Sequence, residues 1–153
     1  FAPLLQIRFR GLVAPGGEAI RLEEVSRSER LGEYGDALKL LPDYFLTGTG
    51  LGAYAKRLEQ IKPGLPGYAY QPAHNFYLLL ALELGIPALF LFLGMLIVFF
   101  FAMCRGRHWT AVPPFVTLLI LGFFDHYLWS LEAGVMLFWT ALGLLYNFKD
   151  EEI

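Results

Sequence analysis

An unbroken apolar run constrains this chain more than any other feature. The seventeen residues 88–104 carry no charge, and residues 76–87 extend the run with one interruption, Glu83. A stretch of this length can cross a bilayer whose hydrocarbon core is about 30 Å thick. The run therefore predicts a membrane-spanning segment.

Two further apolar segments follow, and with the first they predict spans near residues 76–104, 111–129 and 133–148. The composition agrees, because 56% of the residues are hydrophobic and only 17% are charged. The chain is therefore more apolar than an ordinary globular domain. The sequence thus predicts an all-α membrane protein with about three transmembrane helices. The alternative, a soluble helical domain with a buried hairpin, requires a large apolar partner for all three segments.

Charge predicts the orientation of these spans. Arg105 and Arg107 occupy a short turn, and short basic turns stay cytoplasmic, so His74 and residues 125–132 are expected outside. Residues 1–73 hold nine of the twelve Lys and Arg, but segments longer than about 60 residues cross largely regardless of charge. We therefore expect an external segment at 1–73 and a transmembrane region at 74–153. The chain starts at Phe1 without a signal peptide, which indicates the C-terminal part of a larger polytopic bundle.

The external segment contains one amphipathic pattern, near residues 27–41. Ser26 and Glu29 have capping-box spacing, and Pro42 ends the pattern. Apolar side chains recur at helical intervals, at Leu31, Tyr34, Leu38 and Leu41. We expect this helix to lie along the membrane surface or on the outer ends of the spans.

The glycine-rich stretch "LTGTGLGAYAKR" (46–57) partly matches a dinucleotide-binding fingerprint, through Gly48, Gly50 and Ala53. The expected acidic residue about twenty positions later is missing, and no βαβ unit fits before the first span. The glycines are better explained by a tight turn that returns the chain to the membrane. Two alternatives stay open for this turn, one in which its backbone amides face a ligand and one in which they do not.

Together these pieces resemble the C-terminal part of the O-antigen ligase and polymerase family over roughly residues 26–148. The resemblance consists of Arg30 in "SERLGEYGDALKLL", the "GTGLGAY" turn, "AHN" (73–75) at the start of a span, and the outer turn "FFDHYLWSLEAG". The ligase pattern continues from the His-Asn pair to a glycine, here Gly85, but three residues later it prefers Gly, Thr or Tyr, where this chain has Ala88. Ligase, polymerase and transfer to protein therefore stay open.

The resemblance implies a C-type glycosyltransferase-like bundle in the bacterial inner membrane, with an external active site and a role in polysaccharide or lipopolysaccharide synthesis. It implies metal-independent transfer of a glycan from an undecaprenyl diphosphate carrier to an acceptor sugar hydroxyl on a lipid or glycan. No cofactor is expected. The other partners expected are membrane lipids, and the net charge of −2, without a basic footprint, predicts no nucleic-acid partner.

Such a reaction needs a cation on the leaving diphosphate, and a guanidinium matches phosphate oxygens in a bidentate way. Arg30 is the first choice, and Arg57 and Arg27 follow it, although a solvated surface cation is the alternative explanation for each. The attacking hydroxyl must also lose a proton, for which the ordinary pKa of histidine, about 6.5, is suitable. His74 is assigned this role, against the alternative of an interfacial or capping residue.

Other polar residues border the same outer end. Asn75 is expected to cap the following helix or to bind a sugar hydroxyl. Asp125 and His126 are expected to border the site, and their spacing with His74 does not match a metal-ligand motif. A carboxylate at mid-membrane costs about 2.5 to 3.5 kcal/mol, so Glu83 should face protein or water.

Pro87 predicts an interruption of the first apolar segment. Pro87 cannot donate a hydrogen bond to the carbonyl of Glu83, so the helix should bend or break at "ELGIP".

A transporter or flippase of lipid-linked glycans is the rival function, in which Arg30 only binds diphosphate.

Overall fold

The computed structural model describes residues 17–106 and 109–147, and within these ranges every regular element is helical. Two short 3₁₀ turns, Gly67–Tyr70 and Trp109–Ala111, separate some of the helices. The α-helices are α1 (Gly17–Leu40), α2 (Tyr54–Ile61), α3 (Phe76–Leu84), α4 (Ile86–Arg105), α5 (Val112–Phe124), α6 (Tyr127–Ser130) and α7 (Glu132–Asn147). The predicted all-α class is confirmed.

Helix α4, with 20 residues, is the one described helix that is long and apolar enough to cross a membrane. Only 17% of its most apolar stretch is buried by the rest of the chain, which is unlike the core helix of a soluble domain. Helices α5, with 13 residues, and α7, with 16, are shorter than the roughly 20 residues that a span requires. The second and third spans therefore stay predictions.

The predicted break at "ELGIP" is confirmed, and its centre is Gly85. This residue has a φ of +88°, which favours glycine, and it separates α3 from α4. Pro87 lies in the first turn of α4, where its missing N–H costs nothing. The apolar run 76–104 is consequently two helices that are separated at Gly85 rather than one continuous helix.

Helix α3 is the centre of the described core and contacts α1, α2, α4, α5 and α6. One side of α3 joins a cluster with α4, α5 and α7, whose buried residues include Phe76, Leu80, Phe92, Leu96, Phe115 and Phe138. The other side joins a cluster with α1 and α2, which includes Ala37, Leu40, Tyr54, Leu58, Leu79 and Leu82. Because each fully buried Leu or Phe contributes about 1.5–3 kcal/mol, both clusters fix the position of α3.

Helix α1 differs from the prediction in its start and in its packed face. It begins at Gly17, so Ser26 lies inside a continuous helix and is not an N-cap. The preceding Glu, Ala, Arg and Leu residues are good helix formers, and they extend the helix past the capping pattern. The packed stripe runs through Ala37 and Leu40, which leaves Leu31 64% and Leu38 57% exposed. The helix nevertheless ends before Pro42, as expected.

The glycine-rich loop between α1 and α2 is hydrogen-bonded to the end of α3. Gly48 and Gly50 have φ values of +69° and +102°, so the predicted tight turn is confirmed. The backbone N–H of Thr49 donates to the carbonyl of Leu82 at 2.8 Å, and that of Gly50 donates to the carbonyl of Glu83 at 3.0 Å. These two amides therefore cap the C-terminus of α3 and are not available to a ligand.

Candidate active site

His74 precedes the first turn of α3, and Asn75 caps that helix. The side chain of Asn75 accepts a hydrogen bond from the N–H of Leu78 at 2.9 Å, while its backbone is extended, with φ −157° and ψ 112°. The N–H of Phe76 donates to the carbonyl of Asp125 at 3.1 Å. The predicted capping role of Asn75 is confirmed, and the turn after α5 is tied to the same helix start.

The imidazole of His74 lies against helix α1. Its Nδ1 is 2.8 Å from Oε2 of Glu33, and the two side chains are 21% and 20% exposed. The hydroxyl of Tyr34, the next residue of α1, donates to the backbone carbonyl of His74 at 3.1 Å. Helix α1 thus holds both the side chain and the main chain of this residue.

The His74 ring also packs edge to face with the ring of His126, with centroids 5.3 Å apart. His126 is only 6% exposed, and its Nδ1 is 2.6 Å from the hydroxyl of Ser130. Burial lowers the pKa of His126 below its ordinary value, and the nearby His74 ring adds to this effect, whereas Asp125 opposes it. His126 is therefore held neutral at physiological pH.

Asp125 lies beside this pair, but its carboxylate serves the turn. Its Oδ1 accepts hydrogen bonds from the N–H groups of His126 at 2.6 Å and Tyr127 at 3.2 Å. Asn75 also donates from Nδ2 to the carbonyl of Phe123, at 3.4 Å. The structure therefore brings the predicted residues His74, Asn75, Asp125 and His126 together at one end of α3.

Arg30 and Arg27 lie on the same helix as Glu33 and are exposed. Residues three apart on a helix have Cβ atoms about 5–6 Å apart, so Arg30 is a surface neighbour of Glu33. Arg30 makes no ion pair with a residue in the described ranges. Its guanidinium is therefore exposed without a described ion-pair partner, and Arg27 lies one turn further away on the same helix.

Arg57 lies on α2, and its contacts there are structural. It donates to Oε1 of Gln60 at 2.9 Å, and its guanidinium lies 5.8 Å from the centroid of the Tyr44 ring. No contact joins Arg57 to His74 in the described part of the chain. These contacts favour the surface-cation explanation over substrate binding.

Glu33 is the site residue that the sequence analysis missed. Its helical spacing of three from Arg30 is a signal that could have found it, but a contact with His74, 41 positions later, is visible only in the folded chain. Tyr54 lies in the same part of the core with a fully buried hydroxyl. Burial, with the charges of Asp36 and Glu33, raises the pKa of Tyr54, so the phenol stays neutral.

Glu83 lies at the far end of α3 from His74 and is 5% exposed. Its Oε2 accepts a hydrogen bond from the indole N–H of Trp129 at 2.8 Å, so the expectation that it faces protein is confirmed. A cavity of about 420 Å³ adjoins this pair. It is lined by Leu51, Gly52, Ala55, Pro72, Glu83, Trp129 and Ser130.

Comparison with known proteins agrees with the residues gathered here. The sequence profile of the O-antigen ligase family matches residues 5–93, which is more than half of the chain and includes Arg30, the glycine-rich loop and His74. No curated protein and no solved structure matches. Members of the family are membrane-embedded proteins of O-antigen ligase or polymerase type, which transfer glycans. The chain therefore belongs to the O-antigen ligase family.

Proposed function

We propose that this chain transfers a glycan from an undecaprenyl diphosphate carrier to an acceptor sugar hydroxyl, at the external face of the bacterial inner membrane. His74 accepts the proton of the hydroxyl, and Arg30 neutralises the leaving diphosphate. Because a guanidinium carries that charge, the reaction as written requires no metal ion. The family membership supports glycan transfer in general, and the donor, the face and the residue roles are our proposal.

The assignment of Arg30 rests on its availability and its neighbours. Its side chain is exposed on α1, and no described carboxylate neutralises it. A diphosphate bound there would gain charge-assisted, bidentate hydrogen bonds that strengthen as the bond to the sugar breaks. Arg27, one turn away, extends the same cationic surface.

The assignment of His74 rests on its fixed but accessible ring. Contacts with Glu33 and with His126 limit its rotation, while about a fifth of the side chain stays exposed. A general base must lie within hydrogen-bond reach of the proton that it removes, which an accessible ring at a helix start allows. Asn75 and Asp125, used as caps, hold the surrounding backbone.

One observation carries the proposal: the helix that presents Arg30 also supplies the carboxylate that contacts His74. The residue assigned to the leaving group and the residue assigned to the acceptor are thereby joined through a single turn of α1. A displacement reaction requires both residues to reach one carbon atom from opposite sides, and this link through α1 is the observation that supports their assignment.

The test is a transfer assay with the full chain in proteoliposomes, a lipid-diphosphate-linked glycan donor and a saccharide acceptor. We expect His74→Ala to lower kcat by about 10²–10⁴-fold, the usual contribution of acid–base catalysis. Arg30→Ala should reduce transfer to a similar degree, and Arg30→Lys should restore only part, because lysine lacks the bidentate fork. Lys39→Ala, an exposed cation nine residues further along α1 and so on its opposite side, is the matched control.

Two results would decide against the proposal. Full transfer activity in both His74→Ala and Arg30→Ala removes this site from the reaction. Movement of intact lipid-linked glycan across the bilayer, without release of carrier diphosphate and unaffected by His74→Ala, identifies a transporter or flippase instead.

A further inference from the structure

We infer that Glu33 is the positioning residue of His74: it holds the imidazole with Nδ1 protonated, and so leaves Nε2 as the atom that receives the proton of the acceptor hydroxyl. This inference rests on the proposed function and assigns a role to a residue that the family resemblance does not name.

The hydrogen bond itself selects the tautomer. An ionised carboxylate can only accept hydrogen bonds, so a distance of 2.8 Å between Oε2 of Glu33 and Nδ1 of His74 places a proton on Nδ1. A neutral imidazole with Nδ1 protonated has its lone pair on Nε2. In the described part of the chain no hydrogen-bond partner occupies that Nε2.

The neighbouring groups leave this role to Glu33. The Asp125 carboxylate is bonded to the amides of its own turn, and Nδ1 of His126 is bonded to Ser130. The neutral His126 ring packs edge to face with His74, and so limits the tilt of His74 without competing for its proton. Glu33 is thus the carboxylate that contacts the proposed base.

The acceptor hydroxyl transfers its proton to Nε2 of His74 while its oxygen forms a bond to the anomeric carbon of the donor sugar. The bond from that carbon to the phosphate oxygen breaks, and the diphosphate leaves with the electron pair. The resulting imidazolium is stabilised by the carboxylate of Glu33, because both ring nitrogens are then donors beside a negative charge.

The main chain supports the same geometry. Tyr34 follows Glu33 on α1 and donates its hydroxyl to the backbone carbonyl of His74 at 3.1 Å. The side chain and the backbone of His74 are therefore both hydrogen-bonded to one turn of α1, which keeps the direction of Nε2 constant.

The experiment compares Glu33→Ala and Glu33→Gln in the full chain with Glu24→Gln. Glu24 is an exposed carboxylate on the same helix, nine residues earlier and on its opposite side. We expect Glu33→Ala to lower kcat by about 10–100-fold, with the KM for donor and acceptor changed less than about twofold, as is typical when a supporting hydrogen bond to a functional histidine is lost. Glu33→Gln should lose less, because its amide oxygen still accepts from Nδ1, and Glu24→Gln should behave as wild type.

A double-mutant cycle and a spectrum separate positioning from general structural support. In the His74→Ala background, Glu33→Ala should cause no further loss of residual transfer, because both changes remove the same interaction. The ¹⁵N NMR spectrum of histidine-labelled protein at a pH of about 9, where imidazoles are neutral, should show His74 with Nδ1 protonated in wild type and a mixture of tautomers in Glu33→Ala.

The outcomes distinguish the two proposals. The role of Glu33 is wrong, and the proposed function stands, if wild type transfers glycan and requires His74 but Glu33→Ala gives any one of three results. These results are an unchanged kcat, an equal loss of activity in the His74→Ala background, and an unchanged tautomer of the His74 ring. If His74→Ala keeps full transfer activity, the proposed function is wrong instead. Loss of kcat at constant KM, coupled to His74 and accompanied by a change of tautomer, supports the inference.

Discussion

The contact between the glycine-rich loop and the end of α3 predicts that alanine substitutions at two glycines, Gly48 and Gly52, lower the free energy of unfolding by different amounts. Gly48 and Gly52 have nearly equal φ values, +69° and +67°, so an alanine costs about 1–2 kcal/mol of backbone strain at either position. Their surroundings differ. A Cβ on Gly48 would overlap the backbone carbonyl of Glu83, whereas a Cβ on Gly52 would meet no atom within 4 Å.

The overlap at Gly48 must move the loop away from α3. That movement weakens two hydrogen bonds, from the amides of Thr49 and Gly50 to the last carbonyls of the helix. Each is worth about 0.5–1.5 kcal/mol net. We therefore expect Gly48→Ala to lower the free energy of unfolding by roughly 2–5 kcal/mol, against about 1–2 kcal/mol for Gly52→Ala.

The measurement is denaturant-induced unfolding of the full chain in detergent, followed by tryptophan emission. Because Trp129 contacts Glu83 at the end of α3, its emission reports on this part of the fold. Equal loss of stability in Gly48→Ala and Gly52→Ala would refute the reasoning, since the strain is shared and only the overlap differs. A Gly48→Ala variant as stable as wild type would refute the close approach itself.

Three further predictions concern the cap, the buried histidine and the topology. Asn75→Ala should cost about 1 kcal/mol of stability while Asn75→Asp keeps the cap, and equal stability of both would contradict the capping role. Since burial lowers the pKa of His126, the unfolded chain binds the extra proton. The contribution of His126 to stability should therefore be fully present above a pH of about 6.5 and be lost as the pH drops below it. Between pH 8 and 5.5 the thermal midpoint of His126→Gln should change less than that of wild type. In a Cys104→Ser background, Glu59→Cys should react with an impermeant maleimide added to intact spheroplasts and Gly106→Cys only after permeabilisation; the reverse pattern would invert the orientation.

Local backbone chemistry made much of α3 and its ends predictable from the sequence. An asparagine before an apolar helix has a strong preference for the cap, and a glycine and proline together in "ELGIP" cannot continue a helix. The structure confirms both, at Asn75 and Gly85. These features depend on a few neighbouring residues, which is why no knowledge of the tertiary structure was needed.

Features that depend on packing were not predictable in the same way. The hydrophobic spacing of α1 indicated the face of Leu31 and Leu38, but the shape of α3 selects a neighbouring stripe through Ala37 and Leu40. Helix α5 is also shorter than the predicted span 111–129, because the turn at Asp125 ends this helix earlier than composition alone indicates. Apolar composition locates a membrane segment, whereas hydrogen bonds determine its ends.

The candidate site combines these two kinds of information. His74 and Arg30 were assigned from chemistry and family resemblance, and their roles stay predictions. The contact between Glu33 and His74 joins positions 41 residues apart and could be found only in the folded chain.

The position of Arg30 and Glu33 on one helix links the two roles in the reaction that we propose. Arg30 and Glu33 lie within one turn of a continuous helix, so their separation is fixed by backbone hydrogen bonds. A displacement of α1 would therefore move the diphosphate-binding cation and the carboxylate behind the base together. Substitutions that loosen α1 should reduce donor binding and proton transfer in parallel, whereas substitutions at Glu33 alone should affect only proton transfer.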